Sequence, residues 1–391
     1  MKRAIILSVI MVLGINLFAQ NTISNVLAEV EKNNTTLSFI RKNSDAEKIG
    51  NKTGLALQNP EVEFNYLWGN PSDMGNRTDF SIMQSFDFPT AYSYKSQISN
   101  LKNEQTELEY QKQRKEILLQ TRLVCIELIY LNALKAELNE RLNNAIQIGN
   151  AYKSMFNIGD ASILEYNKAQ VNLLNITQEA EANEIERNAL LSELKRLNGG
   201  VEIGFNDSVF VQPNISPDFE QWYAQCEQGN PVLQWIKQEI GVSQKQQQLS
   251  TAQSLPKFNA GYMSENVVGQ KFQGISVGVS IPLWENKNNV KYAKAKTIAI
   301  QSMEADAKLQ FYNQMKSLHS KVVSLQSSVT DYRKSLNAYS NAGLLQKALD
   351  KGEISLSEYI FELSLYYEST NKLLEMEQNQ SKTYAELNRY L

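Results

Sequence analysis

Three kinds of chemistry have candidate residues in this chain. Gly274, Ser276 and Gly278 stand at the G-x-S-x-G spacing of a serine nucleophile on a sharp strand-to-helix turn. A triad would add a histidine and an acid, and His319 is the single histidine in the sequence. Ser276, however, falls in ISVGVSIPL, where Ile275, Val277, Val279, Ile281 and Leu283 alternate with Ser276, Gly278, Ser280 and Pro282. That two-residue period belongs to a strand interior, not a turn. One histidine and two cysteines, Cys125 and Cys226, give a zinc site almost no material. The histidine is expected on a helix surface and the cysteines as buried thiols. No carboxylate pair stands out among 42 acids, and no nucleotide-binding motif is present, so the expectation is a non-enzyme with no cofactor and no metal site.

The third chemistry is that of helix ends, and it occurs twice. GDASILEY at 159–166 and GEISLSEY at 352–359 share glycine, serine, glutamate and tyrosine at one spacing, 193 positions apart. Gly159 and Gly352 can take the left-handed conformation that ends a helix, and Ser162-x-x-Glu165 and Ser355-x-x-Glu358 match the capping box that starts the next. Each octet therefore reads as the tip of a helical hairpin. Capping accounts for three of the four identities and leaves the tyrosine, together with the acids Asp160 and Glu353, without a role.

Such tips need long helices behind them, and the prolines leave room for these. All eight lie at 60, 71, 89, 213, 217, 231, 256 and 282, so 90–212 and 283–391 are free of them and rich in helix formers. Val124, Leu128, Leu131, Leu134, Leu138, Leu142 and Ala145 recur in steps of three and four, a packing stripe. A helix over 91–148 would be roughly 87 Å long at 1.5 Å per residue, which predicts a long rod.

Strands interrupt the helices. FSIMQSFDF places Phe80, Ile82, Phe86 and Phe88 on one side with Gln84, and PEVEFNYLW places Val62, Phe64, Tyr66 and Trp68 on one face. PKFNAGYM does the same with Phe258, Ala260 and Tyr262. Two hairpins follow, closed by GNPSDMGN and SENVVGQ. Strands of about 9 to 11 residues, apolar on one face and small or polar on the other, suit a membrane barrel, the alternative being a soluble sheet packed on a helix.

Lys2 and Arg3, the apolar run to Phe18 and then Ala19 have the order of a secretory signal cleaved after Ala19; an uncleaved anchor is the alternative. Removing Lys2 and Arg3 leaves 37 basic against 42 acidic side chains, a charge of −5 with no basic block, so no nucleic-acid partner is expected. No run of about 20 apolar residues recurs beyond residue 19, so no helix of the mature chain is expected to span a bilayer.

The strand motifs repeat as well: Pro60 and Tyr66 match Pro256 and Tyr262, Ser81 and Ser85 match Ser276 and Ser280, and Pro89 matches Pro282. Read as two copies of one unit, the chain divides into a signal peptide (1–19), an N-terminal helical segment (20–58), β-hairpin 1 (59–90), helical hairpin 1 (91–199), a connector (200–230), a helix (231–255), β-hairpin 2 (256–283) and helical hairpin 2 (284–391).

In this order the sequence resembles the outer-membrane efflux proteins of the TolC type over essentially the whole mature chain. The carriers are NP-x-x-x-x-x-Y at 59–66, LP-x-x-x-x-x-Y at 255–262, SIPLW at 280–284 before a long helix, and the two G-[DE]-x-S-x-x-E-Y turns. The turns are most similar to the heavy-metal efflux branch. The resemblance implies a mainly α chain with a small membrane β part. Helical hairpins would form an α-barrel, and each chain would give four strands to a 12-stranded β-barrel shared by a homotrimer. It also implies an outer-membrane location in a Gram-negative bacterium with a large periplasmic part. The function implied is a passive exit duct for metal cations or drugs, supplied by a periplasmic membrane-fusion adaptor and an inner-membrane pump of the RND type. The alternative is an exported periplasmic coiled-coil scaffold or adaptor without a barrel.

By the same resemblance, Gly159, Asp160, Ala161, Ser162, Gly352, Glu353, Ile354 and Ser355 would dock the adaptor, and Tyr339, Asp350 and Glu353 lie where relatives close the tunnel. Lipid would be met by Val62, Phe64, Tyr66, Phe80, Ile82, Phe86, Phe258, Tyr262, Ile275, Val277, Val279 and Ile281.

Overall fold

The computed structural model describes residues 22–339 and 341–391. The expected signal peptide lies outside the described residues. Nine helices and four strands follow one another in these segments: α1 (Ile23–Asn33), α2 (Thr35–Gly50), β1 (Glu61–Leu67), β2 (Arg77–Phe86), α3 (Pro89–Ile158), α4 (Ile163–Leu197), α5 (Phe219–Gly229), α6 (Pro231–Ala252), β3 (Lys257–Val267), β4 (Gln270–Ser280), α7 (Asn289–Ala338), α8 (Ala342–Asp350) and α9 (Leu356–Leu387). They divide into two compact units. One comprises Asn33–Gln120, Gln212–Tyr332 and Asn379–Leu391; the other comprises 22–32, Thr121–Val211 and Arg333–Gln378.

The first unit holds one antiparallel sheet in the order β1-β2-β3-β4. β3 runs on to Val267, so most of SENVVGQ is strand and the expected loop shrinks to Val268 and Gly269. Both take positive φ, 47° and 83°, as in the two-residue turns whose twist suits paired strands. Ser264, Glu265 and Asn266 are turn formers by composition, but pairing with Gln273, Phe272 and Lys271 decides their conformation. β4 stops at Ser280, and Ile281, expected as a strand residue, lies one position beyond it ahead of Pro282. The helical part of this unit is packed around Trp222, Tyr223, Cys226, Leu233, Phe311, Met315, Val322 and Leu387, with a second cluster of Ala91, Ile98, Val242, Leu249 and Ala252.

His319 corrects its expected place on a helix surface. It is buried, its ring stands edge-on to Phe219 at 5.3 Å, and its Nε2 lies 2.9 Å from the Ser216 carbonyl. A carbonyl only accepts, so Nε2 carries the proton and ties the segment before α5 to α7.

In the second unit Val124, Leu128, Leu131, Leu138 and Ala145 of the α3 stripe are buried. α3 is 70 residues long, on the order of 105 Å of helix, and passes the expected end at 148 without a break. An isolated glycine costs only about 1 kcal/mol in a helix, and Gly149 is also where α4 comes close: a Cβ there would touch Gln170 and Leu173 at 3.4 Å. Contrary to expectation, α3 contains an 18-residue window long and apolar enough to cross a membrane by length and composition, with 44% of it buried. The buried stripe explains that apolar content as helix packing. Helical hairpin 2 differs from hairpin 1 in one respect: its first helix is interrupted between α7 and α8, where Asn341 (φ −115°) precedes Ala342. Cys125 and Cys226, in different units, are free and buried. Burial pushes both thiols up to about 12.

Candidate functional site

Register decides which side chains share a face of the sheet, because directly paired residues point the same way. Val62 pairs with Ile82, Phe64 with Phe80 and Tyr66 with Thr78. Ile82 pairs with Tyr262, Gln84 with Ala260 and Phe86 with Phe258. Tyr262 pairs with Ile275, Ala260 with Val277 and Phe258 with Val279. Val62, Phe64, Tyr66, Phe80, Ile82, Phe86, Phe258, Tyr262, Ile275, Val277 and Val279 therefore lie on one face. It is uncovered: Ile275 is 84% exposed, Val277 74% and Phe64 65%. Its rows nearest the turn of the second hairpin are polar, with Ser264, Gln273, Asn266 and Lys271 beside Phe80 and Thr78, while within the apolar rows stands Gln84, whose amide donates to the Gln58 carbonyl at 2.8 Å.

The opposite face carries Glu61, Glu63, Arg77, Asp79, Ser81, Ser85, Lys257, Asn259, Glu265, Ser276 and Ser280, with Leu67, Met83, Met263, Val267 and Phe272 among them. Asp79 stands directly across from Glu265, a like-charge pair that opposes the register. Arg77 offsets it, with Nε 2.8 Å from Asp79 and 3.3 Å from Glu265. Two glycines on this face are crowded to different degrees. A Cβ on Gly261 would overlap the Ile82 carbonyl and the Met83 sulfur, and one on Gly278 would overlap the Asn259 amide. Ser276, the serine of G-x-S-x-G, lies within β4 on this face with Gly261 opposite, not on a strand-to-helix turn. Among the described residues no group of three or more His, Cys, Asp or Glu could hold a metal ion.

The hairpin tips are built alike, bond for bond. Gly159 (φ 86°) and Gly352 (φ 71°) are left-handed. The amides of Asp160 and Glu353 reach back to the Met155 and Ala348 carbonyls at 2.8 and 2.9 Å, closing the preceding helices. The Glu165 carboxylate accepts from the Ser162 amide and hydroxyl, both at 2.8 Å, while the Ser162 hydroxyl accepts from the Glu165 amide at 3.2 Å. Glu358 and Ser355 repeat this at 2.8, 2.8 and 3.3 Å. The serine backbone amide first, and then its hydroxyl, hold each carboxyl below its usual range. Asp160, Glu353 and Asp350 are exposed; Glu353 pairs loosely with Lys351 at 3.9 Å and Asp350 accepts from Gln346 at 2.8 Å. Tyr339 is exposed just past the end of α7, and among the described residues no side-chain hydrogen bond or ion pair joins it to Asp350 or Glu353.

The tyrosines part company. Tyr166 is half-buried and stacks on Phe156 at 5.3 Å. Tyr359 is only 1% exposed: its hydroxyl accepts from Asn144 at 2.9 Å and donates to Gln346 at 2.8 Å. One turn of α3 away, buried Arg141 lies over the Tyr367 ring at 4.4 Å and donates to Asn371 at 2.8 Å. Asn144, Gln346, Arg141 and Asn371 were not singled out in the sequence. The only pointer to them was the repeated tyrosine, which helix capping left over.

A four-stranded antiparallel sheet with two unpaired edges, an uncovered apolar face and helical hairpins of this length is a chain fold of outer-membrane channels. Solved structures agree. The CmeC outer-membrane channel of Campylobacter jejuni matches with a TM-score of 0.75 at 14% identity, covering 94% of this chain and 85% of that one. CusC, solved for the changes accompanying folding and transmembrane channel formation, matches at 0.77 and 13% identity over 95% and 92%. The outer-membrane protein VceC of Vibrio cholerae matches at 0.71 and 11% identity over 94% of each. Neither the family models nor the curated proteins give a match to the sequence. The likeness is one of fold.

Proposed function

We propose that this chain is the outer-membrane exit duct of a tripartite efflux system, a passive conduit of the TolC type. The observation that carries the reading is the uncovered apolar face of the sheet. A soluble sheet would cover such a band with a helix, whereas lipid requires it. Four strands cannot close a membrane barrel, about eight being the smallest, and an unclosed edge does not occur in hydrocarbon. β1 and β4 each pair on one side only, so several copies must share one barrel, and three copies would bring twelve strands. The matching caps and strand motifs, at offsets of 193 to 196, support an internal duplication in which each repeat contributes one β-hairpin and one helical hairpin.

In this reading the helical hairpins stand in the periplasm. The tip residues Gly159, Asp160, Ala161, Ser162, Gly352, Glu353, Ile354 and Ser355 dock the membrane-fusion adaptor, and exposed Tyr339, Asp350 and Glu353 help close the tunnel end. Cargo is selected by the inner-membrane pump. The polar face of the sheet, where Glu61, Glu63, Asp79 and Glu265 outnumber Arg77 and Lys257, favours the passage of cations over anions.

Fractionation tests the reading. The exported chain should sediment with outer membranes, require detergent for extraction and behave in detergent as a trimer. Recovery as a soluble protein after export would remove the barrel and leave the scaffold reading.

A further inference from the structure

Arg141, Tyr359 and Tyr367 line a cavity of about 380 Å³ that lies within the second unit, between α3, α4 and α9. Its volume falls in the range of small-molecule sites, roughly 300 to 1,000 Å³. Burial grades the lining from inside to outside: Arg141 is 2% and Tyr359 1% exposed, whereas Glu179 on α4 and Glu368 on α9 are exposed.

The inner end carries a positive charge without a close counter-ion. The hydrogen bonds of Arg141 leave only from Nη2, to the Asn371 side chain at 2.8 Å and the Tyr367 carbonyl at 3.4 Å. Its Nε is buried without a partner among the described residues, and the carboxylate paired with it, Glu137, stays 3.9 Å away. Burial lowers the pKa of the guanidinium from its usual value, as expected of a charge held out of water. A buried donor left unmade is costly, and a carboxylate that accepts from the planar fork would satisfy it.

The outer end carries two negative charges that are equally unused. Neither Glu179 nor Glu368 makes a side-chain hydrogen bond or ion pair among the described residues. Asn172 and Asn175 of α4 also line the cavity without side-chain partners, and Ile176 and Ile360 give it an apolar wall. A simple anion would meet the two acids, and a simple cation would meet the guanidinium. A molecule that carries both charges meets neither conflict.

We propose that the cavity binds a small aliphatic amino acid, with its carboxylate on the free N–H groups of Arg141 and its ammonium group at Glu179 and Glu368. Ile176 and Ile360 take the aliphatic side chain, and the Asn172 amide supplies a further polar contact. The ligand would touch both helical hairpins and stiffen the joint that Tyr359 makes with Asn144. The inference stands apart from the duct reading, since it uses only contacts within one unit of one chain.

Calorimetric titration and saturation-transfer NMR of the purified full-length protein in detergent test this. The probes are L-alanine, L-valine and L-leucine, with 3-methylbutanoate and isobutylamine as the two halves of L-valine. L-valine should bind saturably, one per chain, and each half, lacking one charge, at least about tenfold more weakly. Glu179→Gln with Glu368→Gln, both at exposed sites, should weaken L-valine about tenfold and leave 3-methylbutanoate unchanged or tighter. Arg141→Met should abolish binding of both; if that buried change prevents folding, the double rim variant decides. Absence of saturable binding for all three amino acids, a half that binds as tightly as L-valine, or wild-type affinity in the rim variant would overturn the site. Trimer formation and membrane fractionation do not depend on these residues, so such a failure leaves the duct reading standing.

Discussion

Arginine placed on alternate residues of β4 separates a lipid-facing surface from a polar wall within a single strand. β4 has 11 residues, about 37 Å at 3.4 Å each, and a tilt near 45° projects this to roughly 26 Å, close to the height of the apolar band of membrane barrels. Ile275 is its sixth residue and falls at mid-depth, while Val279, four residues on, falls about 10 Å away near the interface. Ile275→Arg should therefore cost about 2 to 4 kcal/mol, and Val279→Arg about 1 or less. Ser276→Arg, one residue from Ile275 but on the opposite, polar face, keeps its charge off the apolar side and should be much milder. A difference of about 3 kcal/mol is roughly a 150-fold change in the folded population. Denaturant unfolding in lipid or detergent, followed by tryptophan fluorescence, reads it directly. Equal costs at Ile275 and Ser276, or the reverse order, would refute a lipid-facing side on the sheet.

Four further outcomes follow from single contacts. Tyr359→Phe removes a buried hydroxyl that accepts from the Asn144 amide and donates to the Gln346 side-chain oxygen, so it should destabilise the second unit by roughly 1 to 3 kcal/mol, measured by thermal unfolding. Gly261→Ala should damage the sheet more than Gly278→Ala, because the first meets the backbone of Ile82 and the second only the Asn259 side chain; refolding yield ranks them. Ser162→Ala or Ser355→Ala should cost about 1 kcal/mol and fray a tip without dissolving the assembly, whereas Asp160→Lys with Glu353→Lys should keep the caps and lower adaptor crosslinking; unchanged crosslinking would leave the octets as turns only. The lowered carboxyl pKa of Glu165 and Glu358 means their contribution is full above the unfolded value and lost as pH falls through the lower folded one; tip amide exchange should therefore quicken in acid, and Glu165→Gln with Glu358→Gln should remove that dependence.

What could be read in the sequence was what depends on near neighbours. The period of two in ISVGVSIPL reports the pleat itself, so Ile275, Val277 and Val279 share a face whatever they pair with. The caps are equally local, since Gly159, Ser162 and Glu165 satisfy one another within seven residues. The misreadings all involve distant partners. SENVVGQ looked like a loop because its composition is that of a loop, yet β2 and β4 flank Glu265 and hold it extended. His319 looked like a surface residue because Ser216 and Phe219, about a hundred positions earlier, were not there to bury it. The interruption at Asn341 has no proline to announce it, only a short run of poor helix formers in which Asn341 and Gly343 stand.

The tyrosine of the octet shows where local encoding ends. Gly, Ser and Glu need only their own hairpin, so both proposed repeats satisfy them identically. Tyr359 needs Asn144, 215 residues away in the other repeat, and a chain with two repeats has only one boundary at which to supply it. The sheet obeys the same arithmetic in its own unit: β2 of the first repeat finds β3 of the second, and β1 and β4 are left over. In the sheet, then, the joint between the two proposed repeats is closed and the two outer strand edges are open. A coiled-coil scaffold would have no reason to leave matched halves unpaired. The duct proposed above would use them, because in it the free edge strand of one copy pairs with the free edge strand of the next.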